Sequence, residues 1–192
     1  ISGLAHFFEK TAPNVEIILA DPKGSILTEY VNTGVKPNAV GSWLVEGIGE
    51  DFIPDICDLS RVKKAYGITD KESFEAARDL LKKEGILGGS SSGTILAAAL
   101  KYCREQKAKK RVVAFVCDRG DKYLSKMFND YWMYDQGFLK RAPKGDLTDL
   151  ITRKHSERAT VTVKPDDTLM VAYGRMKLYD ISQLPVLNED GT

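Results

Sequence analysis

Two short apolar runs bounded by turn residues constrain this chain more than any other feature. Residues 15–20, apolar save for Glu16, lie between Pro13-Asn14 and Asp21-Pro22, and residues 111–117 are apolar after Arg111. Runs of this length read as strands buried on both faces, the pattern of parallel sheets. Around them the apolar spacing shifts to a helical period. Strand and helix in alternation predict an α/β architecture with a largely parallel sheet.

The local signals fill in this outline. Leu4, Phe7 and Phe8 recur at helical spacing over residues 1–11, and Pro13 ends the pattern. Residues 23–42, rich in Gly, Pro, Asn and Thr, read as an irregular excursion. Residues 62–68 form a short candidate strand. Thr69 and Glu72 then stand at capping-box spacing before a helix over 73–84, with Phe74, Ala77 and Leu81 on one face and Gly85 as its stop. Further helices are expected at 94–106 and 123–129. A shift in composition over 139–146 (Lys140, Arg141, Pro143, Lys144, Gly145) reads as a linker. Beyond it the pattern predicts a short helix near 147–151, a strand at 160–163, a helix start at Pro165–Thr168 running to about 179, and a strand at 184–187.

Composition excludes several classes of function. Lys and Arg number 28 against 27 Asp and Glu, so no cationic excess is available to neutralise nucleic-acid phosphates. No apolar stretch is long enough to span a bilayer. The three cysteines (Cys57, Cys103, Cys117) and two histidines (His6, His155) are scattered, which suggests reduced thiols in a cytoplasmic setting, with no structural zinc site or disulfide framework. The chain opens at Ile1 without an initiator Met, and Asn188–Gly191 is a turn signal with no strand after it. Both ends read as internal to a longer protein.

Three loops could carry chemistry. Gly88-Gly89-Ser90-Ser91-Ser92-Gly93 places three hydroxyls before a helix, among unpaired backbone donors and the positive end of the helix dipole. Spacing alone favours an ordinary N-cap over an anion or cofactor-edge site. Residues 45–54 carry Gly47 and Gly49 one residue apart, either a backbone-approach loop or a turn, and lack the third glycine and context of a dinucleotide fingerprint. Asp118 follows the second apolar run at the edge where open α/β sheets bind ligands, or caps the next turn.

Taken in order, these loops together with Lys122-Tyr123-Leu124-Ser125-Lys126, Asn129-Asp130-Tyr131-Trp132-Met133 and Gly137-Phe138 resemble the C-terminal half of the catalytic core of the cystathionine β-synthase family, pyridoxal-phosphate enzymes of fold type II. Ile1-Ser2-Gly3 is similar to the residues after that family's phosphate loop, and Asp21-Pro22-Lys23-Gly24-Ser25 to its Asp-Pro-x-Gly-Ser turn. Residues 151–192 resemble the first part of a regulatory CBS domain, through Val161-Thr162-Val163, Pro165–Thr168 and Leu184-Pro185-Val186-Leu187.

The resemblance implies a three-layer, open, mostly parallel sheet over residues 1–138, a linker at 139–146 and a partial CBS-domain βαβ unit at 147–192. It implies pyridoxal 5'-phosphate as cofactor, with Ser91 at the pyridine nitrogen and Gly47 and Asp118 lining the pocket. Gly49, Glu50 and Tyr123 would border the substrate mouth. Glu50 stands where vertebrate-type relatives carry Tyr, which implies different contacts to the second substrate, and Cys117 stands where Pro is frequent and reads as a packing thiol. The cofactor-binding Lys is expected upstream of Ile1, so no catalytic residue and no metal ligand is assigned in this chain. The implied reaction joins L-serine and L-homocysteine to give L-cystathionine; the alternatives are cysteine synthesis from O-acetylserine or serine with sulfide, and a non-catalytic adenosyl-binding regulatory protein. A homodimer or higher homo-oligomer, amino-acid substrates, and S-adenosylmethionine or another adenosyl ligand at the regulatory module are the implied partners, without nucleic acid or membrane. Haem is left open.

Overall fold

The computed structural model describes residues 1–140, 143–145, 147–151, 153, 159–188 and 190–191. Arg141, Ala142 and Asp146 of the expected linker, and His155, lie outside the described residues. The chain divides into two compact units, Ile1–Lys122 and Tyr123–Thr192.

The first unit begins with α1 (Ser2–Thr11) and β1 (Ile17–Pro22). A long excursion follows, inside which α2 (Leu27–Thr33) forms; β2 (Val62–Ile68) then returns beside β1. The two strands pair in parallel from Ile17↔Val62 to Pro22↔Ile68, with one irregularity after Ile17. On β2, Asn32 of α2 substitutes for a further strand: its Oδ1 accepts the Ala65 N–H and its Nδ2 donates to the Ala65 carbonyl, both at 2.9 Å. A side chain thereby meets the unpaired edge that backbone ladders leave.

β2 runs directly into α3 (Asp70–Glu84). The expected capping box is present: Thr69 Oγ1 accepts the Glu72 N–H, and Glu72 Oε2 accepts the Thr69 N–H at 2.9 Å. Gly85 closes the helix in the left-handed region at φ 70°. The next helix, α4 (Ser90–Glu105), packs Ala97, Ala98 and Tyr102 against Tyr66 and Ile68 of β2. α3 and α4 cross closely where Gly93 passes Ser73: a Cβ at Gly93 would sit 2.0 Å from the Ser73 carbonyl oxygen. Beside that crossing, Thr94 Oγ1 donates to Ser73 Oγ at 2.8 Å.

Several expectations are corrected. Residues 111–117 form no strand, and Val113 and Phe115 are 77% and 54% exposed. A fully apolar run reports that a strand needs cover on both faces, and the described residues supply no sheet neighbour for it. The wider three-layer sheet is accordingly not formed here; among the described residues the sheet has two strands, and the α/β class stands. The excursion at 23–42 is not wholly irregular, because Asp21 Oδ2 accepts both the N–H and the hydroxyl of Thr28 at 2.8 Å and organises α2. The helix expected from 94 begins at Ser90, taking the Ser-rich stretch as its first turn.

In the second unit the helix expected at 123–129 is replaced by turns, and α5 (Asp130–Asp135) follows instead. Asn129, whose Oδ1 accepts the Tyr131 N–H at 2.9 Å, is its cap rather than the end of an earlier helix. A 3-10 turn occupies Leu147–Leu150. Thr168 caps α6 (Leu169–Tyr179), and Val163 and Val186 form a parallel bridge around it. Arg175 of α6 donates to the Thr162 carbonyl and lies 3.3 Å from Asp167 Oδ2.

Candidate functional site

The first turn of α4 is where the sequence's three loops meet. The first helical hydrogen bond runs from Gly93 N–H to the Gly89 carbonyl, so the N–H groups of Ser90, Ser91 and Ser92 are the donors that a helix start leaves over. All three serines are buried. Their hydroxyls have different employment. Ser90 Oγ accepts the Glu46 N–H at 3.2 Å, and Ser92 Oγ accepts the Cys117 N–H at 3.0 Å. The Ser91 hydroxyl makes no hydrogen bond to any described residue, although Ser91 is only 7% exposed.

Asp118 is brought to the same place through its backbone. Gly89 N–H donates to the Asp118 carbonyl and Gly120 N–H to the Leu87 carbonyl, both at 3.0 Å, and Gly88 bridges Arg119 in antiparallel fashion. Cys117, expected as a packing thiol, is exposed; its backbone is held by Ser92 while its side chain faces outward with the uncovered run before it.

The loop carrying Gly47 and Gly49 reaches α4 through the Glu46–Ser90 bond. Gly47 adopts φ +75° with nothing within 4 Å of where a Cβ would be, a backbone conformation that glycine occupies without strain. Gly49 also has positive φ, at +91°, but is walled in: a Cβ there would lie 2.5 Å from Pro22 Cγ and 2.8 Å from Trp43 Cζ2. Trp43 Nε1 donates to the Ile48 carbonyl at 3.0 Å. Glu50 ends the loop with its backbone fixed: its N–H donates to Ser25 Oγ at 3.0 Å, and its carbonyl accepts from Ser25 Oγ and the Ile26 N–H, both at 3.1 Å. Tyr123 belongs to the second unit, where its carbonyl accepts from the Lys126 and Phe128 N–H groups.

Sequence reasoning passed over the residue that holds the start of this loop. Asp70 Oδ1 accepts the Leu44 N–H at 2.9 Å and the Val45 N–H at 3.1 Å. Asp21, near the C-terminal end of β1, is buried, and burial pushes its carboxyl above the usual range against the bonds from Ser25 and Thr28. An Asp directly after a capping Thr was the available signal for Asp70, whereas Asp21 was already visible in the Asp21–Ser25 turn.

The residues present suit the edge of a heteroaromatic cofactor. A pyridine nitrogen needs one hydrogen-bonding partner, and Ser91, a largely buried residue, offers an uncommitted hydroxyl; leftover helix-start donors add positive potential around it. Among the described residues, no group of three His, Cys, Asp or Glu side chains converges as a metal site, and no helix is long and apolar enough to cross a membrane.

Comparison with known proteins agrees with this chemistry. A family model described as pyridoxal-phosphate dependent enzyme matches residues 1–118. The cystathionine beta-synthase of Apis mellifera is 36% identical over 99% of this chain and 38% of its own length. That of Mus musculus is 35% identical over 100% of this chain and 34% of its own. Among solved structures, an O-acetylserine dependent cystathionine beta-synthase from Helicobacter pylori superposes with a TM-score of 0.56 at 36% identity, covering 65% of this chain and 38% of that one. The chain thus spans between a third and two fifths of the length of these relatives.

Proposed function

The chain belongs to the pyridoxal-phosphate dependent enzyme family, and from that premise we propose that it serves a cystathionine β-synthase, the enzyme that replaces the hydroxyl of L-serine with the thiol of L-homocysteine. In the overall reaction the Cβ–O bond of serine breaks, a Cβ–S bond forms, and water leaves. The observation that carries the reading is the uncommitted hydroxyl of Ser91, a largely buried residue between two serines whose hydroxyls are engaged.

In this reading Ser91 meets the pyridine nitrogen, with the residues around Gly47 and Asp118 lining the pocket. Bound there, pyridoxal phosphate supplies an electron sink for the pair left on the substrate's α-carbon. Ser91 offers the ring nitrogen a hydrogen bond and, unlike a carboxylate, does not hold a proton on it. That milder setting favours elimination and replacement at Cβ over transamination. The 47–49 segment, hinged at Gly47, excludes water from the mouth, and Glu50 faces the second substrate.

A second reading concerns the donor. The Helicobacter pylori neighbour and a Bacillus subtilis relative, 38% identical over 65% of this chain, are both named as O-acetylserine dependent, so acetate rather than water is the competing leaving group. For the C-terminal region, similarity to cystathionine beta-synthases over essentially the whole chain supports a regulatory CBS module over 147–192, with an adenosyl ligand and homodimerisation as its proposed partners.

Borohydride reduction of the natural gene product with pyridoxal phosphate, followed by peptide mapping, is expected to yield one pyridoxyl-lysine. Product analysis with serine or O-acetylserine, each against homocysteine and sulfide, then identifies the reaction. No adduct overturns the enzyme reading; cysteine as the dominant product replaces it with cysteine synthesis.

A further inference from the structure

Three successive N–H groups of the mouth loop are held by two side chains, each the first residue of its helix. Leu44 and Val45 donate to Asp70 of α3, and Glu46 donates to Ser90 of α4. The two anchors are fixed relative to one another, because α3 and α4 are in backbone contact distance where Gly93 passes Ser73. At the other end of the loop Glu50 is pinned by Ser25 and Ile26. Between these ends Trp43 Nε1 holds the Ile48 carbonyl and Gly49 is walled in by Pro22 and Trp43, so Gly47, at φ +75° with open space around it, is the position that these contacts leave unheld. The arrangement is a strap with two fixed ends and one hinge.

Asp70 is not needed to start its own helix. The capping box of Thr69 and Glu72 already satisfies the first turn of α3, and the only hydrogen bonds that the Asp70 carboxylate makes among the described residues are those to the loop. Charge-assisted bonds of this kind are stronger than neutral ones. They cross 25 and 26 residues of sequence, so they position a remote segment rather than shape a local turn.

We propose that Asp70 is the positioning residue of the mouth: its carboxylate holds Leu44 and Val45 at the start of α3, so that the Gly47 hinge swings the loop over the Ser91 end of α4 from a fixed base. This rests on the reading of Ser91 as the cofactor contact, but the clamp itself is testable without cofactor.

Hydrogen exchange on the whole protein, with Asp70→Ala and Asp70→Asn, separates the possibilities. Asn keeps an oxygen acceptor in place. In Asp70→Ala the amides of residues 44–46 are expected to exchange faster by on the order of tenfold, while those in the body of α3 do not change. Asp70→Asn should recover most of the protection. Unchanged exchange at 44–46, or equal loosening of loop and helix, overturns the proposal in favour of no role or a purely helical one. In the cofactor-loaded enzyme, Asp70→Ala should raise KM for the amino-acid donor more than it lowers kcat, with Asn intermediate; a loss confined to kcat overturns the link to the mouth. Failure of the unsubstituted protein to take up pyridoxal phosphate would instead count against the cofactor reading, and the exchange result would stand apart from it.

Discussion

Ser92 accepts the Cys117 backbone N–H at 3.0 Å, and that single bond ties the first turn of α4 to a segment with no sheet partner. Two residues earlier, Ser90 does the same for Glu46 at 3.2 Å. The helix start therefore has two structural hydroxyls pointing to opposite neighbours and one spare hydroxyl between them. A helix advances about 100° per residue, so three adjacent positions can face three different partners. That division of labour separates the serines by experiment.

Replacing Ser90 or Ser92 with Ala should each destabilise the fold by about 1 kcal/mol, since each removes the acceptor of a specific N–H. Ser91→Ala should leave stability within about 0.5 kcal/mol, since its hydroxyl bonds nothing in the fold. Its effect should appear instead as weaker uptake of pyridoxal phosphate and an altered visible spectrum of what binds. Urea unfolding and cofactor titration on the three variants give both readouts. Equal destabilisation by all three would remove the case for Ser91 as the free one.

The α3–α4 crossing predicts a sharp contrast between two glycines. A methyl at Gly93 would lie 2.0 Å from the Ser73 carbonyl oxygen and 2.9 Å from Ala77 Cβ, so Gly93→Ala should cost about 3 kcal/mol or prevent folding. Gly3 lies inside α1 with nothing within 4 Å of its Cβ position, and Gly3→Ala should stabilise by about 0.5–1 kcal/mol. Thermal melts of the pair test whether close backbone approach or mere flexibility accounts for Gly93.

What the residues disclosed in advance was mostly local. Thr69, Glu72 and Gly85 act within a few positions of one another, so capping and termination of α3 were legible, as was the span of β2. The Ser-rich stretch was misread as a loop because Gly and Ser favour turns by composition. It forms the start of α4 beside the point where Gly93 meets Ser73, a contact between two helices that local composition does not carry. Residues 111–117 show the opposite failure, since an apolar run states a need for cover without stating what provides it. The loop anchors Asp70 and Ser25 act over 25 or more residues, a distance at which spacing patterns carry no information.

Two carboxylates should impose opposite slopes on stability against pH. Hydrogen bonds from Lys63, Tyr102 and Lys110 hold Glu16 down from 4.5 to about 2. Its folded value lies below its unfolded one, so its contribution is complete above 4.5 and is lost as pH falls toward 2. Burial raises Asp21 above 3.8. Its folded form keeps a proton that the unfolded chain gives up, so its contribution is complete below 3.8 and declines as pH rises through the folded value. Glu16→Gln should therefore flatten the acid limb of a urea-midpoint profile, and Asp21→Asn, which keeps an acceptor for Thr28, should flatten the decline above 3.8. If both variants merely shift the whole profile by a constant, neither group titrates differently in the two states.

The mouth loop's two glycines should respond in different ways to the same substitution. Gly47→Ala meets no atom, and its penalty is the left-handed backbone alone, about 1 kcal/mol; the side chain should stiffen the hinge without displacing the loop. Gly49→Ala adds a methyl 2.5 Å from Pro22 Cγ and 2.8 Å from Trp43 Cζ2, so the loop must lift and the bond from Trp43 Nε1 to the Ile48 carbonyl must break. Trp43 is one of two tryptophans in the chain, and acrylamide quenching reads its exposure, with Trp132→Phe as the background that leaves it alone. Quenching should rise clearly for Gly49→Ala and stay near the parent value for Gly47→Ala. The reverse order would mean that the loop pivots at Gly49 and that the wall of Pro22 and Trp43 yields more readily than the hinge.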